Sequence, residues 1–455
     1  MSKPKFQSPT GMHDILPEDQ GYYQKINGVV RNIADFYGFE KIDTPILENA
    51  ELFSRGVGSA TDIVDKQMFV LKTRGGDFLA LRPEGTAGVV RAYIEDGFTN
   101  LPQPVKLWYF GPFFRYEHPQ AGRFRQFRQF GFEIFGEESP VVDAQMIQIF
   151  YNILQELKLK NLVIEINSIG DSQCRPYYKK LLSNYFRSRE AALCADCRRR
   201  LRENPLRILD CKDEKCQPVK ARAPQMIDHL CEACHRHFKE VLEFLDEVEL
   251  PYRLNPYLVR GLDYYTKTVF EIFPEITPMP KGVGAPKPTR DRLSGLGVGA
   301  ESVGEDEAQK PSALAGGGRY DVLVRLLGGK DTPACGAACG VERIVELMKA
   351  KAVGPKKEIE FEIFLAQLGM LAKRKSLKLI EEFRKERIMV AESLGRDSLK
   401  AQLARANKLG VKYTLILGQQ EALEDRVIIR DMKIGGQESV KLDKAVHEIK
   451  KKLKK

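Results

Sequence analysis

The 455-residue sequence predicts an α+β protein of two or three domains, and three observations lead there. The chain is longer than one hydrophobic core usually serves. Strand-like alternation and helical periodicity are interleaved along it. The composition also shifts near the end: residues 356 to 455 hold 24 Lys and Arg against 15 Asp and Glu, so +9 of the +10 net charge sits there. With 43% hydrophobic and 29% charged residues, the chain has the material for packed cores and is unlike a disordered one. It contains no apolar run of bilayer length, and MSKPKFQSPTGMHD lacks the apolar stretch of a secretion signal, so a cytoplasmic location is expected. The basic end suits contact with a polyanion such as RNA or DNA, although a run like KKKLKK also serves as a solvated tail.

Taken in order, Gln20 to Tyr37 has the spacing of an amphipathic helix, followed by Gly38 and the strand-like FEKIDTPILE. Pro45 lacks an amide donor, which places that strand at an edge or at a contact with another surface. Residues 69 to 80 alternate like a strand, and 105 to 136 read as two antiparallel strands joined by EHPQAGR. A helix and a strand follow between Asp143 and Ile166. Residues 172 to 250 then turn helical, arginine-rich and cysteine-rich, before strand signals return at Tyr257 to Phe273. From 274 to 315 the Pro, Gly and charge content favours a long surface loop. After it come GGGRYD, a helix from Tyr320, and CGAACGVERI, a small-residue strand leading into a helix near Gly340. The last module alternates strand and helix patterns, as expected of a small α/β domain with a mixed sheet.

The hairpin stretch FFRYEHPQAGRFRQFRQFGFE is the most specific chemistry in the chain. Period-two alternation puts Arg123, Arg125, Phe127, Gln129, Gly131 and Glu133 on one face and Phe124, Gln126, Arg128, Phe130 and Phe132 on the other. Core packing accounts for Phe124, Phe130 and Phe132, but not for Phe127 sharing a face with arginines and a glutamate. Guanidinium forks hold phosphate oxygens, and a flat ring offers a surface to a purine. That face, with Arg115 and Glu117 matching it in parity, reads as a nucleotide site running into a pocket for something small and polar or cationic.

Arg260 stands between Leu258 and Leu262 on one alternation parity in VRGLDYYTKTVFEIF, so it points inward and needs an anion, which Asp263 or Glu271 also satisfies as a plain salt bridge. Tyr264 and Tyr265 are pocket walls or core aromatics. In LRPEGTAGVVR, Glu84 either caps the helix after it or receives a substrate amine, and Thr86 is a candidate helix cap. Arg343 falls in the first turn of the helix after Gly340, where a second cation over a nucleotide fits.

Nine cysteines in a cytosolic chain favour thiols or metal over disulfides. Seven lie in the middle segment, six of them spaced as Cys194-x2-Cys197, Cys211-x4-Cys216 and Cys231-x2-Cys234. Cys194, Cys197, Cys231 and Cys234 have the spacing of a four-thiolate zinc knot, against which stands a small helical domain packed with reduced thiols.

With these clusters in view, nearly the whole chain resembles the bacterial histidyl-tRNA synthetases, class II aminoacyl-tRNA synthetases. GFEKIDTPILE, FRYEHPQAGRFRQF and CGVERI are similar to class II motifs one, two and three, with Pro45 at the dimer contact. LVRGLDYYT and GGGRYD carry the histidyl character, and SLKAQLARANKLGVKYTLILG resembles that family's anticodon-binding domain. The resemblance implies a six-stranded antiparallel sheet flanked by helices. It assigns residues 1–171 and 251–350 to the catalytic core, 172–250 to a helical insertion and 356–455 to an anticodon-binding α/β domain.

It also implies roles. Arg115 holds the ATP α-phosphate, Glu117 lies near the adenine amino group, Phe127 stacks on the purine with Arg343 over its other face, and Arg123 meets the distal phosphates. Glu84, Gly85, Thr86 and Gln129 take the histidine ammonium, while Glu133, Tyr264, Tyr265 and Tyr320 surround its imidazole. Arg260 contacts the α-phosphate from the opposite side, as a cation where related synthetases rely on a metal. The implied reaction joins histidine to tRNA(His) through histidyl-adenylate, with Mg2+ on the ATP phosphates, in a homodimer away from membranes. The family has no hallmark metal site, so the same resemblance weighs against zinc at the cysteines. Two departures are visible: His118 and Ala121 stand where the family often has Arg and Lys, and the 274–315 loop is far longer than usual. Two rivals keep parts of this pattern, a non-aminoacylating regulatory subunit of ATP phosphoribosyltransferase and a tRNA-sensing module. The arginine set argues against both, and the C-terminal domain against the first.

Overall fold

A computed structural model describes residues 6–58, 61–117, 122–274, 312–355, 361–393, 395 and 398–453. His118, Ala121 and nearly all of the 274–315 loop lie outside the described residues. The chain forms two compact units, residues 1–354 and 355–455.

The first unit is built on one sheet. In spatial order its strands are Glu40–Lys41, Val105–Phe114, Gln126–Phe135, Ala334–Gly340, Ala315–Arg319, Thr266–Pro274, Leu162–Ser168 and Tyr252–Leu254. The central six pair antiparallel, as expected, and a two-residue and a three-residue strand add parallel pairings at the two edges. Helix Pro17–Tyr37 starts with Pro17 at its first turn beside Glu18 and Asp19, which complement the helix dipole. Its apolar stripe of Tyr23, Ile26, Val30, Ile33 and Ala34 is buried, sharing the largest core with helix Pro140–Glu156 and with Phe130 and Phe132 of the sheet.

Several element expectations are corrected. FEKIDTPILE is not one strand: Pro45 separates Glu40–Lys41, in the main sheet, from Leu47–Asn49, in a separate three-stranded sheet. Residues 69 to 80 fold into two strands, Phe69–Lys72 and Phe78–Leu81, because Gly75 and Gly76 supply a turn between them. The strand signal from Tyr257 splits likewise: residues 257 to 265 are irregular and the strand starts at Thr266. The helix after Tyr320 is a single turn, Leu323–Leu326.

Residues 172–250 are helical, with helices Arg175–Arg187, Ala195–Glu203 and Glu232–Glu247 as the main elements. Most of the segment has its own apolar cluster around Tyr178, Leu182, Phe186 and Ile208. Helix Glu232–Glu247 instead sends Phe238, Val241 and Leu245 into the main core. The second unit is a five-stranded mixed sheet in the order Val390–Glu392, Ile363–Gln367, Tyr413–Leu417, Arg426–Asp431, Gln437–Lys441. Its first three strands are parallel neighbours and the last two antiparallel.

Candidate active site

A cavity of about 210 Å³ opens on one face of the large sheet. Twelve of the fourteen anticipated residues line it: Glu84, Gly85, Thr86, Arg115, Glu117, Arg123, Phe127, Gln129, Arg260, Tyr264, Tyr265 and Arg343. The other two, Glu133 and Tyr320, are fully buried and hydrogen-bonded to the cavity residue Thr86 or to each other.

The hairpin explains the convergence. Phe113 faces Phe127 and Gly111 faces Gln129 in an antiparallel register, so alternate residues of both strands share the cavity face. Phe124 departs from expectation, since it lines the cavity and its ring packs 4.3 Å from that of His13 instead of joining the core. Regular pairing starts only at Gln126, so strict alternation does not govern Phe124. Arg125 also leaves the cavity, its guanidinium lying 3.8 Å above the Tyr116 ring.

The cations are held unequally. Arg115 donates from Nε to the Pro83 carbonyl at 2.8 Å and has Glu117 at 3.9 Å, while its guanidinium stands 5.4 Å from the Phe127 ring centre. Burial lowers its pKa despite the neighbouring Glu117 and Glu84, a sign of a charge short of counter-charge. Arg123 reaches Glu117 at 3.6 Å. Arg343, in the first turn of helix Val341–Ala350, donates to the carbonyls of Ala313 at 2.7 Å and Gly122 at 3.4 Å. Burial and then Arg123 lower its pKa. Arg260 forms an ion pair with Glu271, the plain salt-bridge reading, yet still lines the cavity, and its buried Nε has no hydrogen-bond partner among the described residues. Burial opposes its charge, but Glu271 more than restores it and the pKa is raised. Burial raises the Glu271 carboxyl in turn, against the pull of Arg260. An ion pair is the state consistent with the geometry. The GGG run makes room for this arginine, because a Cβ on Gly316 would lie 2.5 Å from Arg260 Nη1.

Glu84 caps the helix Thr86–Glu95 with both oxygens, accepting from the amides of Thr86 and Ala87 at 2.8 Å each. Each carboxylate oxygen has a second lone pair, so capping leaves capacity for an ammonium group. Tyr264 Oη lies 3.5 Å from Glu84. Thr86 is thus the first helical residue, not the cap. Glu133 accepts from Thr86 Oγ1 at 2.8 Å and from Tyr320 Oη at 2.5 Å, and burial pushes its carboxyl up to about 8 despite those hydrogen bonds. Burial likewise raises the phenols of Tyr264 and Tyr320 well above their usual range and Tyr265 to about 12, so all three are neutral donors.

Sequence reasoning missed Tyr109. It lines the cavity, and its buried hydroxyl has no hydrogen-bond partner among the described residues. The signal was present: Gly85 and Gly131 leave the space it fills, since a Cβ on either would come within 2.3 Å of its ring. Arg319, within GGGRYD, was also passed over and has a structural place beneath the sheet, paired with Asp143 at 2.6 Å.

Among the described residues, the carboxylates near the cavity do not form a metal cage. Glu84 and Glu342 are occupied by backbone amides, Glu271 by Arg260, and Glu117 lies between Arg115 and Arg123.

The cysteines depart from expectation. Cys194 and Cys197 do not group with Cys231 and Cys234; they gather with Cys211 and Cys216, whereas Cys231 and Cys234 lie with Asp171 and Cys174. Sequence spacing could not choose among pairs on different helices.

Comparisons with known proteins bear on the family. Residues 11–282 match the family model for histidyl-tRNA synthetase and residues 362–452 that for an anticodon binding domain. The histidine–tRNA ligase of Dehalococcoides mccartyi is 43% identical over 98% of this chain and all of its own length. The Aquifex aeolicus histidine–tRNA ligase is 44% identical over 96% of the chain and 98% of that relative. Among solved structures, apo histidyl-tRNA synthetase of S. aureus superposes with a TM-score of 0.75 at 32% identity, over 98% of this chain and all of that one.

Proposed function

The chain belongs to the histidyl-tRNA synthetase family, and from that premise we propose how its own residues perform the family's reaction. The activity is that of a histidine–tRNA ligase: ATP and L-histidine give histidyl-adenylate and pyrophosphate, and the histidyl group passes to the 3′ end of tRNA(His). The observation that carries the assignment of roles is the meeting of Arg115, Arg260 and Arg343 with Glu84 in one cavity backed by Glu133.

Phe127 and Arg343 sandwich the adenine, with Glu117 at its amino group, and Arg123 meets the distal phosphates together with Mg2+. Glu84, backed by Gly85, Thr86 and Gln129, receives the histidine ammonium. The imidazole docks toward Tyr264, Tyr265 and the Glu133–Tyr320 pair. The histidine carboxylate then attacks the α-phosphorus in line, its P–O bond forming as the bond to pyrophosphate breaks. Arg115 and Arg260 stabilise the charge that gathers on the phosphoryl oxygens between them. Neither this step nor the transfer to the ribose hydroxyl needs a strong protein base, so positioning and cation placement supply most of the catalysis.

Pyrophosphate exchange into ATP, run with each amino acid in turn, tests the substrate: histidine alone supports it, and equal exchange with another amino acid refutes the assignment. The protein acts in the cytoplasm as a homodimer. Exposed Ile46, Leu47, Val70, Leu71 and Phe78, in and beside the three-stranded sheet next to Pro45, supply apolar surface for such a contact. Removing residues 356–455 is expected to weaken tRNA charging far more than histidine-dependent exchange.

A further inference from the structure

We infer that Cys194, Cys197, Cys211 and Cys216 form a tetrathiolate site for one zinc ion. The four Sγ atoms lie within 4.8 Å of one another, although they come from the start of one helix and from two later turns. Cys194 and Cys211 sulfurs are 3.9 Å apart. Four ligands at the usual Zn–S distance of about 2.3 Å around a tetrahedron stand about 3.8 Å from each other. A disulfide needs about 2.05 Å, and all four residues are free thiols.

The local chemistry is arranged for thiolates. Cys194 caps helix Ala195–Glu203 and accepts from the Cys197 amide at 3.4 Å, and its own amide donates to Cys216 Sγ at 3.2 Å. Amide donors aimed at sulfur stabilise negative sulfur in the way that outer hydrogen bonds tune metal ligands. Cys197, Cys211 and Cys216 are at most 5% exposed, so solvent does not compete for the ion. A four-thiolate zinc site carries a net charge of −2, and residues 194 to 222 hold nine Lys and Arg against five Asp and Glu. Packing thiols in an apolar core explains burial, but not four sulfurs converging within 4.8 Å of one another.

The site also bears on catalysis. Arg200 and Arg207, on and just beyond the helix that Cys194 caps, hold Asp62 at 2.7 and 3.3 Å, and Arg207 donates to the Arg260 carbonyl at 3.0 Å. A metal that fixes this helix therefore positions the backbone of a proposed phosphate-binding arginine.

The test uses the full-length chain, reduced, stripped and reloaded with Zn2+ or Co2+ alone. The unsubstituted protein is expected to show four sulfur neighbours at zinc by X-ray absorption, and an intense sulfur-to-cobalt charge-transfer band with cobalt. The Cys211→Ser/Cys216→Ser variant is expected to hold one ion per chain fewer and to lose the band. Cys231→Ser, which touches only the Asp171–Cys174 set, keeps it. Cys216→His, a conservative ligand exchange, is expected to retain zinc and guards against misfolding as the cause of loss. A cobalt spectrum without thiolate bands in the unsubstituted protein, or equal metal content in the double variant, overturns the inference.

Discussion

Two arginine-rich places in this molecule differ in one respect that separates scaffold from chemistry. Beneath the sheet, Arg319 is 0% exposed and spends all five of its N–H groups: Nε and Nη2 on Asp143, Nη1 on the Glu137 carbonyl and Asp321, Nη2 also on the Ser139 carbonyl. His237 completes the knot, 2.7 Å from the same Asp143. On the cavity face Arg115 makes one hydrogen bond among the described residues, through Nε, and Arg260 has one carboxylate partner and an idle Nε. Their side chains are 21% and 18% exposed, so the spare donors open into the cavity, where an anion can take them, and only Arg260 Nε is buried without a partner among the described residues. The paired arginine is an architectural joint, and the under-paired ones await an anion.

The contrast is broken most strongly by truncating the cavity arginines. Arg115→Ala and Arg260→Ala are each expected to slow histidine-dependent exchange by roughly 10²–10³-fold, the loss typical when one donor to developing charge is removed. Histidine affinity changes little in either variant; stability changes little for Arg115→Ala, whereas Arg260→Ala also costs some stability because Glu271 loses its partner. Unchanged turnover for either variant rejects its phosphate role. Truncating Arg319 reverses the pattern, because Asp143 is left buried without its guanidinium and with only His237 beside it. Arg319→Ala should cost about 3–5 kcal/mol in denaturant unfolding, an outcome refuted by a shift under 1 kcal/mol.

A pH titration of stability sharpens the same point. Burial opposes the charge of Asp143, but Arg319 outweighs it and holds the carboxyl at about 2. Its folded pKa lies below the unfolded value, so the stabilisation is complete above the unfolded pKa and disappears as pH falls through about 2. Asp143→Asn is expected to flatten that acid limb. Glu133 has the opposite sign, raised to about 8 by burial. If its carboxylate accepts the imidazole N–H, histidine binding measured by calorimetry should tighten as pH rises from 6.5 toward 8.5, and Glu133→Gln should remove the trend. The smallest effect belongs to Tyr109→Phe: its hydroxyl, in the cavity, makes no hydrogen bond among the described residues, so if it meets the histidine its loss should raise KM a few-fold and leave stability untouched.

Much of the site was legible because the hairpin obeys period two from Gln126 onward, so Phe127, Gln129 and Glu133 could be assigned to one side from spacing alone. Arg260 was assigned inward by an alternation that does not exist at residues 257–265. Its burial followed instead from the need to pair a guanidinium, which the sequence does express. Tyr109 was hidden because its evidence is two distant glycines that make room for it, a relation visible only once strands are paired. The cysteine grouping was hidden for the same reason, as helix packing and not linear spacing decides which thiols meet. In the fold, the six-stranded antiparallel core was expected from family motifs, whereas the break at Pro45 depended on the separate three-stranded sheet capturing Leu47–Asn49.

The most direct test of the central claim is a crystal structure with a non-hydrolysable histidyl-adenylate analogue. Guanidinium nitrogens of both Arg115 and Arg260 should lie about 2.7–2.9 Å from oxygens of the α-phosphoryl position, on opposite sides. Arg260 still paired only with Glu271, or Arg115 turned to solvent, would contradict the account.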